Sequence, residues 1–160
     1  MLFDAFAGLD PETRLLGETV RAFARDVVAP GAIQRDETEQ FDRRLVTRIA
    51  QLGLLAGPFP EVVGGAGLSA VAWTVVVEEV AAADMALAVT LAVHVLHQNP
   101  VVGWGTDEQR ARWLPALQMG DALGACALTE PEAGSDAAAI RMPADRVGTT
   151  EAPSCRGFAS

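Results

Sequence analysis

Between Val71 and His97 the sequence is apolar at nearly every position, broken by three carboxylates, Glu78, Glu79 and Asp84. A run of this kind is either a membrane span or a pair of helices wrapped by other helices. A carboxylate near the bilayer centre costs about 2.5–3.5 kcal/mol, so three of them favour helices buried in protein. The run therefore predicts a helical core, with Ser69 capping one helix through Trp73, Val76, Val77 and Val80. Asp84 opens a second helix from Met85 to about His97, and Asn99-Pro100 breaks it. Apolar residues all round such helices are expected where neighbours cover most of their surface.

The preceding segments supply those neighbours. Asp10-Pro11-Glu12 is a helix start, followed by Leu15, Leu16, Thr19, Val20, Phe23, Ala24, Val27 and Val28 at three- and four-residue intervals. Pro30-Gly31 ends that helix, and Gln34 to Gln40 reads as a polar connection. From Asp42 a further helix carries Leu45, Val46, Ile49, Leu52 and Leu55 on one stripe, and Gly57-Pro58 closes it. Phe59 to Gly67 is a glycine-rich loop. Thr106-Asp107-Glu108 caps a last short helix whose Ala111, Leu114 and Leu117 point inward, ending at Gly120.

After Gly124 the pattern changes. Ala125-Cys126-Ala127-Leu128-Thr129 is short, apolar and bounded by turn formers, which reads as a strand or extended segment. The expected class is mainly α: residues 1–124 form a helical domain and 125–160 begin a β domain. The tail from Ala144 to Ser160 has no clean period and reads as loop.

Composition narrows the function classes. The net charge is −9, with 12 basic residues that are all Arg. An acidic chain without a basic stripe repels phosphate backbones, so no nucleic-acid partner is expected. Cys126 and Cys155 have no metal-ligand spacing and imply no disulfide framework. A reducing, cytoplasmic location fits, and the first ten residues lack the basic start of a signal peptide. His94 and His97 stand three apart on a helix and could share a face as metal ligands. With no third ligand in view they read as satisfied core or boundary histidines. Trp73, Trp104 and Trp113 read as core or interface fillers.

The segment Ala127-Leu128-Thr129-Glu130-Pro131-Glu132-Ala133-Gly134-Ser135-Asp136 has two physical readings. It is either a self-capped surface turn or a ligand clamp. In the second case extended backbone and the Thr129 hydroxyl would face the heteroatom edge of a flat ring. Pro131 rigidifies the exit, Gly134 permits close backbone approach, and Ser135 adds a donor.

This segment resembles the signature of the acyl-CoA dehydrogenase family, through Ala127-Leu128-Thr129-Glu130 and Gly134-Ser135-Asp136 at the family's spacing. Further matches are collinear. They are Val20 to Arg25 with Ala29-Pro30, Leu52 to Leu55 leading into Phe59-Pro60-Glu61 and Gly64 to Gly67, and Glu78-Glu79 with Ala83-Asp84. Gly105-Thr106 and Glu108-Gln109-Arg110 before Leu114-Pro115 complete the set, so coverage runs roughly from residue 10 to 139. The resemblance implies a helical N-terminal bundle of that family, followed by the first strand and loop of an incomplete β-barrel domain.

It also implies FAD as cofactor, held by Cys126, Ala127, Leu128, Thr129, Gly134 and Ser135, with Ser135 also near the substrate thioester. The implied partners are an acyl-CoA substrate and electron-transfer flavoprotein as acceptor, in a homo-oligomer without membrane contact. The implied reaction is α,β-dehydrogenation in fatty acid metabolism. A flavin-dependent oxidase or monooxygenase of the same fold, and a non-catalytic helical chain pairing with a separate dehydrogenase chain, stay open. Glu130 reads as a loop-ordering carboxylate. No position matches the family's catalytic base, so no catalytic residue is assigned. The chain is expected to be truncated and inactive alone.

Overall fold

The computed structural model describes residues 6–142, 144–146 and 153–155. Six α-helices account for most of it: α1 Pro11–Phe23, α2 Ala32–Thr38, α3 Arg43–Gln51, α4 Ala70–Ala83, α5 Met85–Trp104 and α6 Asp107–Gln118. The chain divides into two units, Met1–Ala125 and Cys126–Ser160. All six helices belong to the first.

Five of the six helices begin where the sequence offers a side-chain acceptor for free N–H groups, and α2 instead starts at Gly31 without one. Asp10 accepts from the Thr13 amide, Asp42 from Arg44, Ser69 from Ala72 and Asp84 from Leu87. Thr106 and Gln109 form a reciprocal capping box at the start of α6, satisfying two orphan donors at once. α4 lies between α1 and α5, and α6 packs on α5. Val76 and Val80 of α4, Leu87, Leu91 and Val95 of α5, and Val20 and Val28 meet Leu45, Val46 and Ile49 of α3 in one core.

Two buried or half-buried ion pairs tie the helices where the apolar run is interrupted. Arg21 of α1 donates from Nε and Nη2 to both oxygens of Glu79 at 2.8 and 2.7 Å, and its guanidinium lies 4.1 Å from the Phe6 ring centroid. Arg35 of α2 donates to Asp84 Oδ2 at 2.9 Å and to the Val28 carbonyl at 2.6 Å. Of the three carboxylates that break the apolar run, Glu79 and Asp84 are thus partners of arginines from elsewhere in the bundle, while Glu78 is exposed.

Several expectations are corrected. Gln34 to Gln40 is not simply a polar connection: α2 covers most of it, entered through Gly31 in left-handed backbone and anchored by Arg35. α1 does not stop as a regular helix but continues as a π-helical turn, Ala24–Val28, which places both Ala24 and Val28 in the core. Pro100 does not break α5, which runs on to Trp104. Pro100 frees the carbonyl of Leu96, and both residues are on the exposed side, where water can take that carbonyl.

Leu52 and Ala111 are exposed rather than inward-facing, because a 3-10 turn at Leu54–Ala56 redirects the chain after α3 and the α6 stripe narrows to Leu114 and Leu117. Trp104 is 84% exposed and Trp113 about half exposed, so neither fills the core, while Trp73 packs against it. α5 carries no charged residue and is long and apolar enough to span a membrane by length and composition. The carboxylates that disfavour a membrane span lie in α4 and at the α4–α5 junction, and none lies within α5.

The Gly64 to Gly67 loop is a backbone knot. Gly65 donates to the Pro60 carbonyl at 3.1 Å, Gly67 to Phe59 at 2.8 Å, and Leu68 to Gly57 at 2.9 Å. A Cβ on Gly65 would collide with the Phe59 carbonyl, so glycine is dictated there by close approach. Gln118 of α6 closes the knot by donating to the Val63 carbonyl at 2.7 Å.

In the second unit Ala125 to Thr129 forms no strand, since a strand exists through a partner's ladder bonds and none is supplied among the described residues. Ala144–Arg146 pairs antiparallel with Pro153–Cys155, where loop was expected. The rest of the tail from residue 147 lies outside the described residues.

Candidate functional site

The segment from Cys126 to Met142 is organised by one carboxylate. Glu130 accepts from the Arg141 amide through Oε2 and from the Met142 amide through Oε1, both at 2.8 Å. The backbones of Glu130 and Ala133 exchange hydrogen bonds at 2.9 and 3.2 Å around Pro131-Glu132. Pro131 suits this tight turn because its fixed φ is that of a turn's second position. Ala133 is buried beneath it. Asp136 accepts from the Ala138 amide at 3.2 Å and starts a 3-10 turn, Ala137–Ala139. Glu130 is therefore a loop-ordering group, as its neighbours suggested.

The sequence-predicted ligand residues lie on the outside of this frame. Cys126, Ala127, Leu128, Thr129, Gly134 and Ser135 are all exposed. Thr129 and Gly134 are the next residues out from the Glu130–Ala133 bridge, so the turn makes them neighbours at its open end. Gly134 has ordinary backbone, and no heavy atom lies within 4 Å of where its Cβ would sit. Among the described residues the amides of Cys126 to Thr129 are not engaged in backbone hydrogen bonds. These amides and carbonyls, unengaged among the described residues, and two exposed hydroxyls form a donor and acceptor set that fits the heteroatom edge of a flat ring and a neighbouring phosphate.

Other candidate groups are used structurally. His94 is 1% exposed, with Nε2 2.9 Å from the Leu117 carbonyl and Nδ1 accepting from the Gly124 amide at 3.0 Å. Burial pushes its pKa down, against the Leu117 hydrogen bond, with His97 adding in the same direction. Among the described residues no group of three His, Cys, Asp or Glu is placed to hold a metal. Cys126 is a free, exposed thiol. An open groove of about 560 Å³ lies between α2 and the α4–α5 junction, lined by Ile33, Phe41, Met85 and the Arg35–Asp84 pair. Its one arginine, Arg35, is already engaged by Asp84.

What the sequence did not reveal is the clamp on Gly124, held between His94 and His97. A Cβ on Gly124 would collide with the His97 ring. The only signal was a histidine in phase with buried Leu91 and Val95.

Comparison with known proteins decides the family. The profile of the acyl-CoA dehydrogenase N-terminal domain matches residues 10–121. The chain belongs to the acyl-CoA dehydrogenase family. An acyl-CoA dehydrogenase of Bacillus subtilis (strain 168) is 38% identical over 134 residues, covering 83% of this chain and 35% of that protein. A glutaryl-CoA dehydrogenase from Mycobacterium smegmatis, solved in complex with FADH2, superposes with a TM-score of 0.82 at 31% identity, covering 91% of this chain and 38% of that one. A chain from the structure described as the electron transferring flavoprotein of Acidaminococcus fermentans superposes with a TM-score of 0.76 at 32% identity, covering 90% and 37%. This acyl-CoA dehydrogenase family chain thus spans about a third of the length of the curated relatives it matches.

Proposed function

We propose that this chain supplies the helical N-terminal domain and one wall of the flavin site in FAD-dependent α,β-dehydrogenation of an acyl-CoA thioester. The observation that carries the reading is the position of Thr129 and Ser135. They are exposed hydroxyls on a loop ordered internally by Glu130, directly beyond the family-matched residues 10–121. A loop whose own hydrogen bonds are met by Glu130 and Asp136 leaves its outer donors available to a ligand.

In this reading the backbone at Leu128 and Thr129, with the Thr129 hydroxyl, bonds the ring edge. Gly134 and Ser135 approach the pyrophosphate or the thioester end. FAD, when bound, would accept hydride from the acyl chain. The relative solved with FADH2 and the neighbour described as electron transferring flavoprotein support a flavin and an electron-transfer flavoprotein acceptor. A cytoplasmic location and a homo-oligomer complete the proposal. The residues from 125 onward would belong to a β domain, and the catalytic base would come from outside the residues present.

A chimera tests this function. Residues 10–139 would replace the corresponding part of the Bacillus subtilis relative, and acyl-CoA-dependent reduction of an electron acceptor would be measured. Turnover by the chimera is expected. A folded, flavin-loaded chimera that reduces no acceptor with any acyl-CoA would overturn the assignment.

A further inference from the structure

The ring of His94 sits at the point where the chain leaves the helical bundle. It bonds two elements at once: the last turn of α6 through the Leu117 carbonyl, at 2.9 Å, and the exit segment through the Gly124 amide, at 3.0 Å. The amide is a donor, so Nδ1 must present a lone pair, and the ring proton must sit on Nε2, donating to Leu117. One turn further along, Gln98 is fully buried and donates to the Leu55 carbonyl at 2.7 Å. α5 therefore carries a buried polar pair that fixes the surrounding turns by specific bonds. Gly124 is further confined by the His97 ring, which leaves no room for a Cβ.

We propose that His94 is an acid-sensitive latch on the exit segment: the neutral ring holds Gly124, and a second proton on the ring releases it. The step is a simple protonation. A proton from solvent bonds to Nδ1, the ring becomes an imidazolium, and the lone pair that accepted the Gly124 amide is gone. Two N–H groups then point at each other, and the exit segment must move away for the buried cation to find an acceptor. Only the Gly124 contact fails, because the Nε2 proton and its bond to Leu117 are unaffected.

The charged and titratable groups on the surrounding elements do not offer the imidazolium a ready partner. His97 lies on α5 itself, and Asp121 is exposed beside Gly124. Arg43 of α3 reaches the carbonyls of Gly120 and Asp121 at 3.3 and 2.6 Å. On α6, Arg110 is bonded to Asp107, and Arg112 lies over Trp113, with Glu108 at the exposed start. Glu79 of α4 is taken by Arg21. The turn Leu54–Ala56 brings no charge. The lowered proton affinity of His94 has burial as its main cause.

Nuclear magnetic resonance of the 15N-labelled chain tests the latch directly. At pH 7.5 the His94 nitrogen shifts are expected to show the proton on Nε2. Between pH 7.5 and 4.5 the protection factor of the Gly124 amide is expected to fall at least ~10-fold more than that of Leu91 in the core, the order expected when one hydrogen bond of about 1.4 kcal/mol is lost. A proton on Nδ1 at pH 7.5, or Gly124 protection that tracks Leu91 throughout, would overturn the proposal. Two variants separate the bonds. His94→Asn can keep an acceptor near the Nδ1 position and preserve Gly124 protection without its pH dependence. His94→Gln keeps a donor near Nε2 and should lose Gly124 protection selectively. Equal loss in both would contradict the latch, and should neither variant fold, the wild-type measurements decide.

Discussion

Arg35 and Asp84 meet at 2.9 Å where α2 crosses the junction of α4 and α5, with side chains only 17% and 12% exposed. Asp84 has two duties: its Oδ1 caps α5 at the Leu87 amide, 3.0 Å away, while Oδ2 holds Arg35. Removing Arg35 leaves a largely buried carboxylate unpaired and strips the Val28 carbonyl of its donor. Arg35→Ala is expected to cost about 3 kcal/mol, the order measured when one partner of a buried pair is deleted. Asp84→Asn keeps the cap but weakens the pair and should cost less. Denaturant unfolding of both variants checks the order.

Glu79 presents a related pair with a different degree of burial. Its carboxylate is nearly buried, whereas the Arg21 side chain is 46% exposed. Solvent on the arginine side weakens the interaction, so Arg21→Ala should cost roughly 1–2 kcal/mol, below the Arg35 value. Thermal unfolding of the two arginine variants side by side compares them.

Two glycines give opposite expectations. Gly65→Ala drives a Cβ into the Phe59 carbonyl and should destabilise by about 2–4 kcal/mol or prevent folding, since backbone cannot yield as a side chain does. Gly134→Ala meets open space and should leave stability within ~0.5 kcal/mol. The same Gly134→Ala change is expected to weaken FAD binding in the chimera. A chemical denaturation curve and a flavin titration together make the check.

The pH dependence of stability follows from His94. Its proton affinity is lowered in the folded chain by burial, so the unfolded chain binds that proton more readily. The contribution is complete above the ordinary histidine pKa of about 6.5 and is lost as pH falls from there through the depressed value. The chain should therefore be more stable at pH 7.5 than at pH 5, with a slope that flattens in His94→Gln. A slope unchanged in that variant would assign the effect to other groups.

The helical frame was legible because caps and apolar periodicity agree: Asp10, Asp42, Ser69, Asp84 and Thr106 each stand at a helix start. Local rules failed where distant partners decide. Gln34 to Gln40 has no apolar face to announce α2, yet Arg35 finds Asp84, which is 49 residues away. Pro100 forecasts a break, but its consequence falls on an exposed carbonyl. The π-helical turn at Ala24–Val28 follows from packing, and nothing in the local composition marks it. At the candidate site the motif singled out the Ala127 to Asp136 loop, and Glu130 was readable as a loop-ordering group. The contact of Gly124 with two histidines was not, because it joins residues 30 positions apart.

The most direct test of the central claim, that residues 126 to 135 form a flavin wall, is the FAD affinity of the chimera with and without its two hydroxyls. Thr129→Ala with Ser135→Ala removes two hydrogen bonds worth about 1 kcal/mol each, so the account predicts at least ~10-fold weaker FAD binding with the fold intact. FAD bound equally well by the doubly substituted chimera would contradict it.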